Sequence, residues 1–414
     1  MLSPLLANSK DIEFWAERLD ARATLPRLVR RLVLATLERL EFISFRADEG
    51  VQLKGYDGIV QAPQGNAFVP PGLSVWELST ERNAKRKADE DYAKRSATPG
   101  AVDPASASFV FVTARRWEGK ESWAREKQQE GVWKTVRAYD ADDLATWLEQ
   151  APAVHLWFSL LIGKHPTGAK DLRSFWEDWS ACTRPQLSSD LVISGREEAV
   201  SKIHQWLRGE PSALGLRADT RHEAVAFFIA SVLQLPNEEQ ERVLARGVVV
   251  EDLVAWWQLV LWEHPLVLIP IFPERSPVGQ AVSKGHYVLV PLDQSEPHTG
   301  ETLSLPRLRR TEAKKALVAM GFDEAQAEDL AALARQSLEA LRRKLAIHPA
   351  TLTPEWARPG FARSLLPVLL AGRWDEQNTA DREAVARLAA REYAEVRELV
   401  LRWSNEPDPP VRLI

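Results

Sequence analysis

Asp57, Glu77 and Lys87 are the residues whose types and spacing suggest chemistry. Asp57 lies in G-Y-D-G-I-V, Glu77 in L-S-V-W-E-L-S-T, and Lys87 in the charged run E-R-N-A-K-R-K-A-D-E-D-Y-A-K-R. Gly55, Gly58, Gly65, Pro70, Pro71 and Gly72 punctuate the stretch 49–95, which reads as strand, turn, strand, helix. Alternation along 74–79 puts Val75, Glu77 and Ser79 on one face and Trp76 and Leu78 on the other. Two carboxylates and a lysine converging beside a hairpin can hold a divalent metal and activate a water against a phosphodiester. Lys85 is the second choice of amine. The bland alternative is a structural α/β domain in which Asp57 caps a turn. Lys87, Asp91 and Arg95 are spaced i, i+4, i+8. They read most simply as an exposed face laced with ion pairs, each worth about a few tenths of a kcal/mol, with Ala88, Tyr92 and Ala93 on the buried side.

The elements that must position these groups are bounded by composition. The chain has 414 residues, enough for two or three domains, and 45% are hydrophobic, enough for a sizeable core. A net charge of -5 gives no bulk attraction to nucleic acid, so any such contact must rest on a local patch. One cysteine, Cys182, excludes a disulfide framework within the chain and fits a reducing, cytoplasmic setting. The N-terminus has no signal-peptide pattern, and the apolar run 259–272 is broken by Glu263, His264, Pro265 and Pro270, so no membrane span is expected.

Apolar spacing through Phe14, Leu19, Leu25, Leu28, Leu32 and Leu37 predicts helices over 9–40, with Pro26 opening the second. Arg27, Arg30 and Arg31 cluster there, either as a solvated face or as a phosphate-contacting edge; Glu13 or Glu17 could add a carboxylate. A buried strand S-F-V-F-V-T-A, a strand V-W-K-T-V-R-A-Y-D, and a helix capped by Asp140 or Asp142 complete a mixed α/β unit over 1–165. K-H-P-T-G-A-K-D reads as a linker. From 185 to 303 strands alternate with helices: D-L-V-I-S-G, S-A-L-G-L-R, V-V-V-E-D, P-L-V-L-I-P-I-F and H-Y-V-L-V-P-L predict a mainly parallel sheet. Residues 304–414 read as helical. The chain stops at P-D-P-P-V-R-L-I, which looks like a break, so a natural continuation is expected.

The hairpin G-Y-D-G-I-V and V-W-E-L-S resembles that of the restriction-endonuclease-like PD-(D/E)xK nucleases. The resemblance covers roughly residues 10–165. There an Asp ends one strand, and a Glu and a Lys sit two apart on the next. Here Ser79 stands where the lysine belongs, and Lys87 or Lys85 from the next helix is the expected substitute. I-S-G-R-E-E and L-R-R-T-E-A-K-K-A-L-V-A-M-G-F resemble parts of STAND-type P-loop ATPases, with a helical lid and winged-helix region over 304–414. The loop L-R-A-D-T-R-H-E-A has neither the glycines nor the lysine that cradle phosphates, so that module is degenerate. Together the resemblances imply a metal-dependent nuclease of bacterial antiviral defence, cleaving nucleic acid with DNA favoured. Asp57 and Glu77 would bind Mg²⁺ or Mn²⁺, Lys87 would assist the attacking water, and Arg30, Arg31 and Lys85 would touch phosphates. A homo-oligomer or a partner sensor protein would control it. The rival is a catalytically dead nuclease-fold scaffold that binds nucleic acid or partner proteins. The eight histidines are scattered without metal-ligand spacing, and Cys182 and Thr220 lack nucleophile signatures.

Overall fold

A computed structural model describes residues 6–45, 55–272, 277–294, 296–348 and 353–404. Residues 49–54 of the candidate stretch and the terminal P-D-P-P-V-R-L-I lie outside them. The chain is mixed α/β with two mixed sheets, and no helix among the described residues is long and apolar enough to cross a membrane. It divides into two compact units, Met1–Ser174 with Pro236–Tyr287, and Phe175–Leu235 with Val288–Ile414.

The first unit opens with helices α1 (Ser9–Trp15) and α2 (Ala21–Thr36) and strands β1 (Phe42–Phe45), β2 (Gly58–Ala62) and β3 (Gly72–Ser79). Then come α3 (Ala84–Ala97), β4 (Ser108–Thr113), α4 (Lys120–Gln129), β5 (Thr135–Tyr139), α5 (Ala141–Glu149), α6 (Pro152–Leu161) and β6 (Ala169–Asp171). The five-stranded sheet runs in order β1 to β5, antiparallel through β1–β2–β3 and parallel through β3–β4–β5. Its strands alternate between two apolar layers. Trp76, Val110 and Val112 pack with α1, α2, α5 and α6, while Val75, Phe109 and Phe111 pack with Ala88, Tyr92 and Trp123 of α3 and α4. Asp140 caps α5 with a capping box, as its position predicts.

Several expectations are corrected. α2 begins at Ala21, and Pro26 lies inside it. The missing hydrogen bond costs about 3 kcal/mol, but burial of Leu25, Leu28, Val29, Leu32 and Val33 returns about 1.5–3 kcal/mol each. Phe14 is exposed while Ile12 and Trp15 of the same helix are buried, and Leu19 is exposed beyond the end of α1 at Trp15. The expected linker ends in β6, whose Ala169 and Asp171 are buried where it pairs antiparallel with Gly247–Val250. D-L-V-I-S-G forms a short helix, Ser189–Ile193, because Ser188 caps it and Gly195 turns the chain at φ +72.

The first unit is completed from afar. Helix Asn237–Arg246 sends Arg246 to donate to the carbonyls of Leu34, Ala35 and Leu37 at 3.2, 3.2 and 2.5 Å, closing the C-terminus of α2. Strand Gly247–Val250 runs parallel to Val267–Pro270. In the second unit, strand Ala213–Arg217 lies parallel to both Tyr287–Leu292 and Thr302–Ser304. Its later part is helical, with Ser337 ending Glu324–Gln336 and capping Leu338–Leu345.

His286, fully buried, accepts the Leu266 N–H at Nδ1 over 3.1 Å and donates from Nε2 to the Val260 carbonyl at 3.2 Å. Burial holds its pKa below the usual histidine value. A proton on Nδ1 would oppose the Leu266 N–H. The folded state therefore binds fewer protons than the unfolded one, and stability falls as pH drops through the unfolded value of about 6.5. Melting temperatures at pH 7.5 and 5.5 should show a drop on acidification, and His286→Gln should lose part of that drop.

Candidate active site

The antiparallel register sets Gly58 opposite Trp76 and, one step beyond, Asp57 beside Glu77. Asp57 lies just before β2, not within it, and its Oδ2 accepts the Leu78 N–H at 2.8 Å. Glu77 points to the α3 side of β3 together with Val75. α3 begins at the Asn83 cap and brings Lys87, Asp91 and Arg95 to the same place. Asp57, Glu77 and Lys87 thus line one cavity of about 350 Å³, with Asp91, Lys94, Arg95 and Arg22.

The i, i+4, i+8 row on α3 is not the solvated face that its charges suggest. Asp91 and Arg95 are buried, and Ala93 is exposed instead. Arg95 donates from Nε to Glu77 Oε1 and from Nη2 to the Gly55 carbonyl, and its guanidinium lies 4.7 Å over the Tyr56 ring. Burial, then the nearby charge of Asp57, pushes the Glu77 carboxyl up to about 8 despite Arg95. Burial likewise raises Asp57, against the Leu78 hydrogen bond. Lys87 donates to Asp91 at 2.6 Å. Burial works against its charge, but Asp91 and the surrounding carboxylates outweigh it and raise its pKa. Lys87 is therefore an ammonium, suited to holding a water or a phosphate oxygen and unsuited to removing a proton.

The donors present are carboxylate oxygens, the chemistry of a hard divalent cation. Two features fit one. The charges of Asp57 and Asp91 push the Glu77 pKa up and that of Asp91 pushes Asp57 up, a repulsion that a cation relieves, and the buried Asp91 Oδ2 has no hydrogen-bond partner. As the side chains lie, no three histidine, cysteine or carboxylate groups among the described residues stand close enough to hold a metal, and Glu77 is held by Arg95.

The remaining nominated residues lie elsewhere. Lys85 is exposed on α3 and outside the cavity lining. Arg30 and Arg31 face Glu241 in a different cavity. Glu17 binds Arg115 and Arg82, at 2.5 and 3.0 Å. Ser79, at the lysine position, accepts the Glu81 N–H. Arg95 and Asp91 were missed; their shared helical row with Lys87 was the available signal.

In the second unit the Gly195-Arg196 motif is structural. A Cβ on Gly195 would strike the Arg309 side chain. Arg196 donates to Pro306 O at 2.8 Å, Val192 O at 3.2 Å and Glu223 Oε1 at 2.8 Å. Thr220 caps helix Arg221–Val232, and Glu223 places a buried carboxylate in its first turn, where a phosphate would need positive potential. No protein-family model and no curated protein sequence matches this chain.

Two substitutions test these pairings. Arg95→Met should cost about 3 kcal/mol, from the lost bonds to Glu77 and Gly55, read as a lower denaturant midpoint; adding Glu77→Gln should restore much of it. Arg196→Met strands Glu223 and should cost about 3–5 kcal/mol by the same measurement.

Proposed function

We propose that residues 1–165 form a metal-dependent nuclease and that residues 185–303 form a non-hydrolysing, STAND-like oligomerisation or sensor module, followed by a helical lid and winged-helix region over 304–414. The observation that carries the reading is that Asp57, Glu77 and Lys87, drawn from three separate segments, line one cavity. The hairpin leading into two parallel strands supports the restriction-endonuclease-like fold that their spacing resembles. Asp57 and Glu77 would hold Mg²⁺ or Mn²⁺, with Asp91 beside them. Such an ion supplies Lewis acidity and a more acidic bound water. Lys87, kept protonated by Asp91, orients the water or a phosphate oxygen, and Lys94 and Arg22 give the cavity cationic groups suited to a phosphodiester. DNA is the favoured substrate, and bacterial defence the setting that the resemblance implies.

A second reading is a catalytically dead scaffold that binds nucleic acid or partner proteins. Ser79 in the lysine position and the Arg95 clamp on Glu77 favour it.

The test is cleavage of plasmid DNA by the purified protein with Mg²⁺ or Mn²⁺, joined to calorimetric titration of the metal. The nuclease reading expects metal binding and cleavage, both lost in Asp57→Ala plus Glu77→Ala. Cleavage that survives in that double variant would remove the assignment, and a wild-type protein that takes up no divalent ion would favour the scaffold.

A further inference from the structure

The first unit carries another cavity, of about 480 Å³, walled largely by guanidinium groups. Arg27, Arg30 and Arg31 come from α2, and Arg173 follows β6. The carboxylate in the lining is Glu241, on helix Asn237–Arg246. Among the described residues of the lining, four arginines face one carboxylate.

Glu241 does not fully satisfy Arg30, Arg31 and Arg173. One of its oxygens accepts from Arg173 Nη2. The other lies 3.7 Å from Arg30 Nη1 and 3.7 Å from Arg31 Nε, beyond hydrogen-bonding distance. Arg31 is only 7% exposed, and its Nε is buried without a hydrogen-bond acceptor; so is the Nε of Arg173. Burial, then the charge of Arg173, lowers the Arg31 pKa to about 10. Asp171, the other carboxylate near Arg31, accepts the backbone N–H groups of Arg173 and Ser174 at 3.0 and 3.2 Å. A buried donor left without an acceptor is unfavourable, because its bonds to water are lost and not replaced. An anion with more oxygens and more charge than a carboxylate would supply what Glu241 does not.

We propose that this cavity binds the phosphate groups of a small phosphorylated molecule, recognised by Arg30, Arg31 and Arg173. A phosphate offers three oxygens to guanidinium forks and carries up to about two negative charges. The cavity falls within the roughly 300–1,000 Å³ of small-ligand sites. The guanidiniums gather around the Glu241 carboxylate, which suits a compact anion better than an extended strand. Arg31 lies 3.9 Å over the ring of Trp157, so an occupant that draws on Arg31 has a fluorescent reporter in place. The site is separate from the cavity of Asp57 and does not depend on the nuclease reading.

Inorganic pyrophosphate is the probe, titrated into the full chain at fixed ionic strength and followed by tryptophan fluorescence and calorimetry. Saturable binding is expected. Arg30→Gln with Arg173→Gln should weaken it about tenfold or more, a loss of about 1.4 kcal/mol or more. Glu241→Gln should tighten it, because the competing carboxylate is gone; a merely structural cluster predicts no such gain. Circular dichroism and melting confirm that each variant is folded, and Arg31, being buried, is left unchanged. Absent binding, or equal binding in the wild type and the folded Arg30/Arg173 variant, would overturn the proposal. So would displacement of pyrophosphate by an oligonucleotide carrying only phosphodiesters, which would make the cavity part of a backbone-binding surface.

Discussion

Asp57 and Glu77 occupy paired positions at one end of the β2–β3 hairpin, and burial disfavours the charge on both. Two acids in that situation repel each other through a medium that screens poorly. Much of the surrounding structure answers this repulsion. α3 is oriented so that Arg95 reaches Glu77 and Lys87 reaches the adjoining Asp91, and the Leu78 N–H is directed at Asp57. An apolar layer of Val75, Ala88, Tyr92 and Phe109 holds the helix against the strand so that these pairings persist. The arrangement is costly for stability alone, since apolar residues of similar volume would fill the same space without opposing charges.

Much of this was legible in the chain. Alternation along 74–79 placed Glu77 beside Val75 and away from Trp76, and the glycines and prolines before it marked the hairpin. Asp140 or Asp142 read as the cap of α5, and Asp140 is the one that fills the position. What failed was burial of charge. A row of Lys, Asp and Arg along a helix has the same appearance whether it faces water or an acidic cavity, and only tertiary contacts decide. Arg30 and Arg31 show the same limit, because Glu241, their partner, lies over two hundred positions along the chain. The expected strand at D-L-V-I-S-G failed for a local reason: a serine cap and a left-handed glycine can enclose one helical turn as readily as a strand.

Arginine serves three different ends here. Arg246 and Arg196 satisfy backbone carbonyls, and Arg196 also neutralises a buried glutamate. Arg95 divides itself between a carboxylate, a carbonyl and an aromatic ring. Arg31 and Arg173 retain buried donors with no acceptor. The planar five-donor fork allows all three uses, and a lysine could replace it in none without losing directed bonds.

Residues 236–287 complete the first unit after the chain has left it at 174. Arg246 closes the end of α2, Ala245 packs into the same apolar layer, and Gly247–Val250 pairs with β6. A gene segment cut at the apparent end of the N-terminal part would encode a body lacking its own keystone. The first unit is thus continuous in space and interrupted in sequence.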